Sequence, residues 1–120
     1  MDSTQSQSDA IFFGDGEHKY MLYDTWAKIP DGPYWIHDVA SISIDAQDNV
    51  YAFVRGPHPV MVFDRDGNLL RTWGEGIFSN PHGSHIAADG YIYLTDNGDH
   101  TVRKCTLDGK VVLTIGIPHQ

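Results

Sequence analysis

The chain has 120 residues, of which 20% are charged and 41% apolar, with twelve Gly and six Pro. That balance excludes a disordered polymer and suits a turn-rich globular chain of one domain at most. Sixteen acidic against eight scattered basic side chains give a formal net charge of -8, a field that repels phosphate backbones and excludes nucleic acid as a partner.

In chain order, residues 1–19 form a polar N-terminal segment. Its first nine residues lack both the basic start and the apolar run of a secretory signal, and no stretch of the chain reaches membrane-spanning length. The chain as written therefore reads as soluble and cytoplasmic, with no membrane partner. Residues 20–38 hold one expected strand, Tyr20 to Trp26, and a loop turning at Asp31-Gly32-Pro33 that carries Tyr34 and Trp35.

Residues 39–78 and 79–116 are two copies of one unit. Offset by 42 positions, Val39–Gly74 aligns with Pro81–Gly116 without a gap, and ten of the 36 pairs are identical. In the first copy, short alternating or apolar runs (Ser41–Asp45, Val50–Val54, Val60–Asp64, Leu69–Trp73) are separated by Asp48-Asn49, Gly56-Pro57 and Asp66-Gly67. The second copy turns at Asp89-Gly90, Asn97-Gly98 and Asp108-Gly109. Asp-Gly and Asn-Gly supply the positive φ of tight hairpins, so each copy predicts a four-stranded antiparallel meander.

A period near 42 built from such meanders predicts β-propeller blades. The fold class is thus all-β, with two blades, an N-terminal outer strand and an incomplete ring. Thr25-Trp26 ends its strand as Thr72-Trp73 ends the first unit, which marks Tyr20–Trp26 as the outer strand of a blade not otherwise present. Two blades cannot close on themselves, so the reading expects a longer polypeptide or self-assembly through open blade faces, with residues 117–120 as a connector.

Several short segments, in order and spacing, carry a resemblance: Ser-Ile-Ser-Ile-Asp at 41–45, Val-Arg-Gly at 54–56, His-Pro-Val at 58–60, Phe-Asp-Arg-Asp-Gly-Asn at 63–68, Trp-Gly-Glu-Gly at 73–76, Pro-His-Gly at 81–83, Thr-Asp at 95–96 and His-Thr-Val at 100–102. From Val39 to Leu113 the chain resembles NHL-repeat propellers, and within them the peptidyl-α-hydroxyglycine α-amidating lyases. The resemblance implies a zinc-dependent lyase that cleaves a peptidyl-α-hydroxyglycine to a peptide amide and glyoxylate, or another small N-(α-hydroxyalkyl)amide to an amide and the corresponding aldehyde. By position it implies His82 as a zinc ligand, Arg55 as a substrate contact, and the backbone carbonyls of Ile42 and Ser84 as ligands of a structural calcium. The other zinc histidines, the catalytic tyrosine and the calcium aspartate belong to blades this chain does not contain, so both metals are expected only in a complete ring and the chain alone is expected to be inactive. The competing reading is a non-catalytic NHL propeller that acts as a protein-interaction scaffold.

The remaining candidates read as structural. His58 and His100 fall at equivalent turns and are expected to share a role such as bonding a turn carbonyl. His85 should face away from Ser84. His37 and Asp38 precede the first inner strand, within reach of a channel mouth. Trp26 and Trp73 are expected to pack between blades, and Cys105 to be a buried strand residue.

Overall fold

The computed structural model describes residues 10–120; the first nine residues of the polar N-terminal segment lie outside them. Strands β1 (Phe12–Asp15) and β2 (His18–Met21) form a hairpin around Gly16 and Glu17. Blade 1 contains β3 (Asp38–Ile44), β4 (Val50–Arg55), β5 (Val60–Phe63) and β6 (Leu69–Trp73) in that spatial order. Blade 2 contains β7 (Pro81–Ile86), β8 (Ile92–Asp96), β9 (Thr101–Cys105) and β10 (Val111–Ile115), again as an antiparallel meander. The 42-residue spacing thus recurs strand by strand, and the two blades form an open arc.

Alternation along each strand divides the core into two layers. Tyr51, Phe53, Val60, Val62 and Trp73 of blade 1 pack with Ile92, Leu94 and Cys105 of blade 2. On the reverse side of blade 1, Ala52, Val54, Met61 and Phe63 are covered by Trp26, Tyr34 and Ile36 from the preceding segment. β3 lies against β7, so the inner edges of the two blades converge. The hydroxyls of that seam join them: Ser43 Oγ is 2.7 Å from Ser84 Oγ, and the Ser84 amide donates to Ser41 Oγ at 3.1 Å.

The segment before blade 1 departs from expectation in one respect. Regular strand ends at Met21, and among the described residues β2 pairs with β1 and contacts no other strand. The added strand β1 exists because Gly14 and Gly16 both take positive φ, which lets the chain fold back at Asp15-Gly16-Glu17-His18. Trp26 nevertheless does for blade 1 what Trp73 does for blade 2. Its indole N–H donates to Arg65 O at 2.9 Å, while that of Trp73 donates to Leu107 O at 3.1 Å, 42 positions later. In both places a glycine makes room for the tryptophan, for its backbone at Gly67 and for its indole at Gly109. A Cβ on Gly67 would lie 1.8 Å from Trp26 O, and one on Gly109 would lie 2.7 Å from the Trp73 ring.

Aspartates fasten the turns. Asp45 accepts the amides of Gln47 and Asn49, and Asp64 accepts those of Asp66 and Asn68. Burial works to raise the Asp45 carboxyl, but the bonds from Asn49, Gln47 and Tyr51 outweigh it and hold the group below the ordinary carboxylate range. Asp64 is lowered as well, chiefly by the Asn68 side chain.

Cys105 is fully buried between the blades, and desolvation pushes its thiol up to about 11. Both the missing access and the scarcity of thiolate make it unreactive in the native state. A thiol reagent is expected to label Cys105 only as fast as the protein unfolds, and labelling at the rate of a free thiol without denaturant would refute that packing.

Candidate rim site between the blades

The end of the arc where β4 stops and β7 starts brings several predicted residues together. Asp38 opens β3 and is paired in register with Arg55 at the end of β4. Arg55 Nη1 lies 3.4 Å from Asp38 Oδ2, and its Nε donates to Pro81 O at 3.1 Å. Arg55 therefore spans the two blades and grips the carbonyl immediately before His82. On the other side of Asp38, His37 Nδ1 is 2.8 Å from the same carboxylate oxygen. That hydrogen bond is the largest influence on Asp38 and, with the charge of His37 and the bond and charge of Arg55, outweighs the opposing desolvation and holds the carboxyl below the usual carboxylate range.

These groups edge a cleft of about 460 Å³, bounded on its apolar side by Trp35, Pro59 and Phe78 and on its polar side by His37, Arg55 and Asn80. Trp35 is 61% exposed, an indole presented to solvent beside a guanidinium. Such a pairing offers an incoming segment an apolar plate together with a hydrogen-bonding cation.

His82 sits on β7 where the pairing with β8 shifts register between Pro81 and Ser84. β3 carries the same irregularity between Val39 and Ser41, so Ala40 is the blade 1 counterpart of His82. Bulges re-aim side chains. The repeated bulge therefore holds a methyl in one blade and an imidazole in the other. The His82 side chain is exposed and, among the described residues, has neither a hydrogen bond nor an ion pair. Ile42 and Ser84 occupy equivalent inner-strand positions opposite Ala52 and Leu94, with the Ser84 hydroxyl bonded to Ser41 and Ser43.

The donor chemistry of these residues does not by itself suit either metal. A catalytic zinc takes three protein ligands, and calcium takes roughly six to eight oxygens. Among the described residues no group of three or more His, Cys, Asp or Glu is placed to hold a metal ion. His82 supplies one nitrogen, and Ile42 and Ser84 two backbone oxygens.

The other histidines separate. His58 bonds the Glu75 carboxylate at 2.7 Å and stacks on Tyr34 at 4.7 Å, while His100 is exposed on a left-handed backbone with φ 66°. The shared turn role expected for them is therefore absent, because Glu75, the partner of His58, has Ile117 as its counterpart in the second unit. For Glu75, burial works upward, but the bonds from His58 and Thr72 prevail and leave its carboxyl lowered. His85 is exposed opposite Tyr93, on the side away from the serine seam.

Sequence reasoning missed a charged cluster behind the rim. Asp96 is buried and accepts the amides of Ser79 at 2.7 Å, Asn80 at 2.9 Å and Gly98 at 2.8 Å. Arg103 reaches Asp99 at 2.7 Å, lies 3.7 Å from Asp96 and stacks over Phe78 at 5.6 Å. A signal was present in the self-alignment. At the positions of Val54, Pro57 and Met61, the second copy has Asp96, Asp99 and Arg103. Opposite charges replacing apolar residues together, on two neighbouring strands and the turn between them, indicate a buried ion pair and not a solvated edge.

No family model matches the chain. A Mus musculus protein described as NHL repeat-containing protein 3 is 29% identical to it over 103 residues, covering 78% of this chain and 29% of that protein. The chain thus spans less than a third of the length of this curated relative. No helix among the described residues is long and apolar enough to cross a membrane. The 42-residue period, the two converging meanders and this similarity give the chain the fold of an NHL-type β-propeller, present here as an open arc of two blades.

Proposed function

We propose that the chain serves as a non-catalytic NHL-type interaction module that binds an extended polypeptide segment at the rim cleft between its two blades. The observation that carries this reading is the exposed Trp35 beside Arg55, set over a cleft whose floor is fixed from both blades. Arg55 is held by Asp38 and Pro81 O, so it presents its remaining N–H groups from a fixed position, which reduces the entropy lost on binding. A displayed library of random peptides is the probe. Sequences selected on the wild-type chain are expected to lose about tenfold or more in affinity for Trp35→Ala, as for truncation of an aromatic anchor. Selected peptides that bind Trp35→Ala as tightly as wild type would refute the assignment.

One observation favours the amidating-lyase reading as a second proposal: Arg55 bonds the carbonyl next to His82, so the two residues that the resemblance singles out share one rim. In that reading, other blades would complete the zinc site around His82 and the calcium site around Ile42 and Ser84, and Arg55 would orient a peptidyl-α-hydroxyglycine. Zinc would supply Lewis-acid polarisation of a substrate oxygen there. A longer chain that carries this arc within a complete ring, incubated with zinc and a peptidyl-α-hydroxyglycine, separates the two readings: glyoxylate release abolished by His82→Ala would support the lyase and overturn the scaffold, and no release would overturn the lyase.

A further inference from the structure

Trp35, the indole at the rim cleft, sits on a short segment that is held on both flanks. Tyr34 and Ile36 pack onto the reverse core of blade 1, while Trp35 between them is turned outward and lines the cleft. After Trp35 the backbone is fixed to the end of β4. The His37 amide donates to Arg55 O at 2.7 Å, and Trp35 O lies so close to Gly56 that a Cβ there would come within 2.5 Å of it. Before Trp35 the chain runs through the exposed turn at Asp31-Gly32-Pro33 and regains the blade at Tyr34. Besides the core, the group that holds Tyr34 there is His58, whose ring stacks on it at 4.7 Å with an interplanar angle of 25°.

His58 is in turn fixed by the loop after β6. Its Nδ1 lies 2.7 Å from Glu75 Oε2, and Thr72 Oγ1 donates to the same carboxylate oxygen at 3.1 Å. A carboxylate only accepts, so Nδ1 carries a proton whether the ring is neutral or charged. Among the described residues, the titratable groups in contact with His58 are Glu75 and Tyr34, with Thr72 Oγ1 a neutral neighbour at 3.4 Å. Both titratable groups favour the imidazolium, Glu75 by its charge and Tyr34 by the electron-rich face of its ring. The lowered carboxyl of Glu75 stays ionised wherever a histidine gains its proton.

We infer that His58 is a proton-operated latch on the rim: its stack with Tyr34 sets Trp35 over the cleft, and protonation tightens that stack so that acid strengthens capture of a polypeptide segment. The inference rests on the rim-binding reading and adds to it a regulator outside the cleft lining. The latched arrangement binds the proton more tightly than the unlatched one, so lowering the pH through the histidine range raises the latched fraction. Apparent affinity follows that fraction.

Two readouts test it. Peptides selected on the wild-type chain at about pH 7.5 are expected to bind about two- to fivefold more tightly at about pH 5.5. His58→Phe keeps an aromatic ring beside Tyr34 but has neither the charge nor the bond to Glu75, and it should lose that gain. His37 at the cleft remains in both proteins, so the latch is read from the difference between them. The second readout needs no peptide. By NMR relaxation the Trp35 indole N–H should become more rigid from the higher to the lower pH in wild type and not in His58→Phe, with the bonded indoles of Trp26 and Trp73 as rigid references. An affinity gain of equal size in the two proteins, no gain in either, or a Trp35 indole indifferent to pH would overturn the latch. Selected peptides that ignore Trp35→Ala would overturn the rim reading instead, and the NMR comparison would still decide the latch.

Discussion

Trp73→Ala is expected to lower the unfolding free energy by about 3–5 kcal/mol, the range for truncating a large buried aromatic. Trp73 is 7% exposed, belongs to the core shared by both blades, and also closes the Leu107 carbonyl by a hydrogen bond. Removing it opens a cavity at the blade junction and leaves that carbonyl without its indole partner. Trp73→Phe retains most of the contact and should cost less, with the lost hydrogen bond contributing about 1 kcal/mol. Gly109→Ala approaches the same junction from the other side. The new Cβ would meet the Trp73 ring at 2.7 Å on a backbone with φ 104°, so it is expected to destabilise by about 1–2 kcal/mol from backbone strain before any steric displacement. Denaturant titrations of the three variants check the order Trp73→Ala, then Gly109→Ala, then Trp73→Phe. A Trp73→Ala midpoint equal to wild type would mean that the blades are not held together as described.

The blades were legible because their determinants are local. Asp66-Gly67 and Asp108-Gly109 set the hairpins, two-residue alternation sets the faces, and the gapless offset ties one copy to the other. The role of Trp26 could be read from its Thr-Trp match with Thr72-Trp73, although the strand expected around it gave way to the β1–β2 hairpin. Here the local preference of Gly14 and Gly16 for a turn prevailed, since no neighbouring strand was present to pair with β2. At the rim, the family resemblance singled out Arg55 and His82, but their proximity depends on a bond between blades, Arg55 to Pro81 O, which no single-repeat pattern encodes. The bulge that carries His82 was likewise invisible, because a register shift leaves no mark in residue type when the same position holds Ala40 in one copy. His58 and His100 show the limit of equivalence by alignment, for His58 took Glu75 as its partner while His100, with Ile117 in the equivalent place, stayed exposed.

Asp96→Ala is expected to destabilise the protein by about 3–5 kcal/mol, because it breaks a buried charged network and leaves its donors unpaired. The carboxylate is 1% exposed and collects amides from Ser79, Asn80 and Gly98 with Arg103 close behind. Asp96→Asn keeps one acceptor oxygen and should cost only about 1–3 kcal/mol. Because Ser79 and Asn80 lead into Pro81, whose carbonyl anchors Arg55, loosening Asp96 should also weaken peptide binding at the rim while leaving Trp35 untouched. The neighbouring Asp99 adds a pH dependence. Its carboxyl is lowered, first by the hydrogen bond from Arg103, against an opposing desolvation, and then by Thr101. A depressed native value means that the unfolded state takes up the proton first as pH falls. The contribution of Asp99 is therefore complete above the unfolded value near 3.8, and declines as acid carries the pH down through the lowered native value. Denaturation midpoints measured from neutral pH down to about pH 3 should fall less steeply in Asp99→Asn than in wild type. An acid limb of equal slope in the two proteins would show that the Asp99–Arg103 pair does not stabilise the folded arc through its charge.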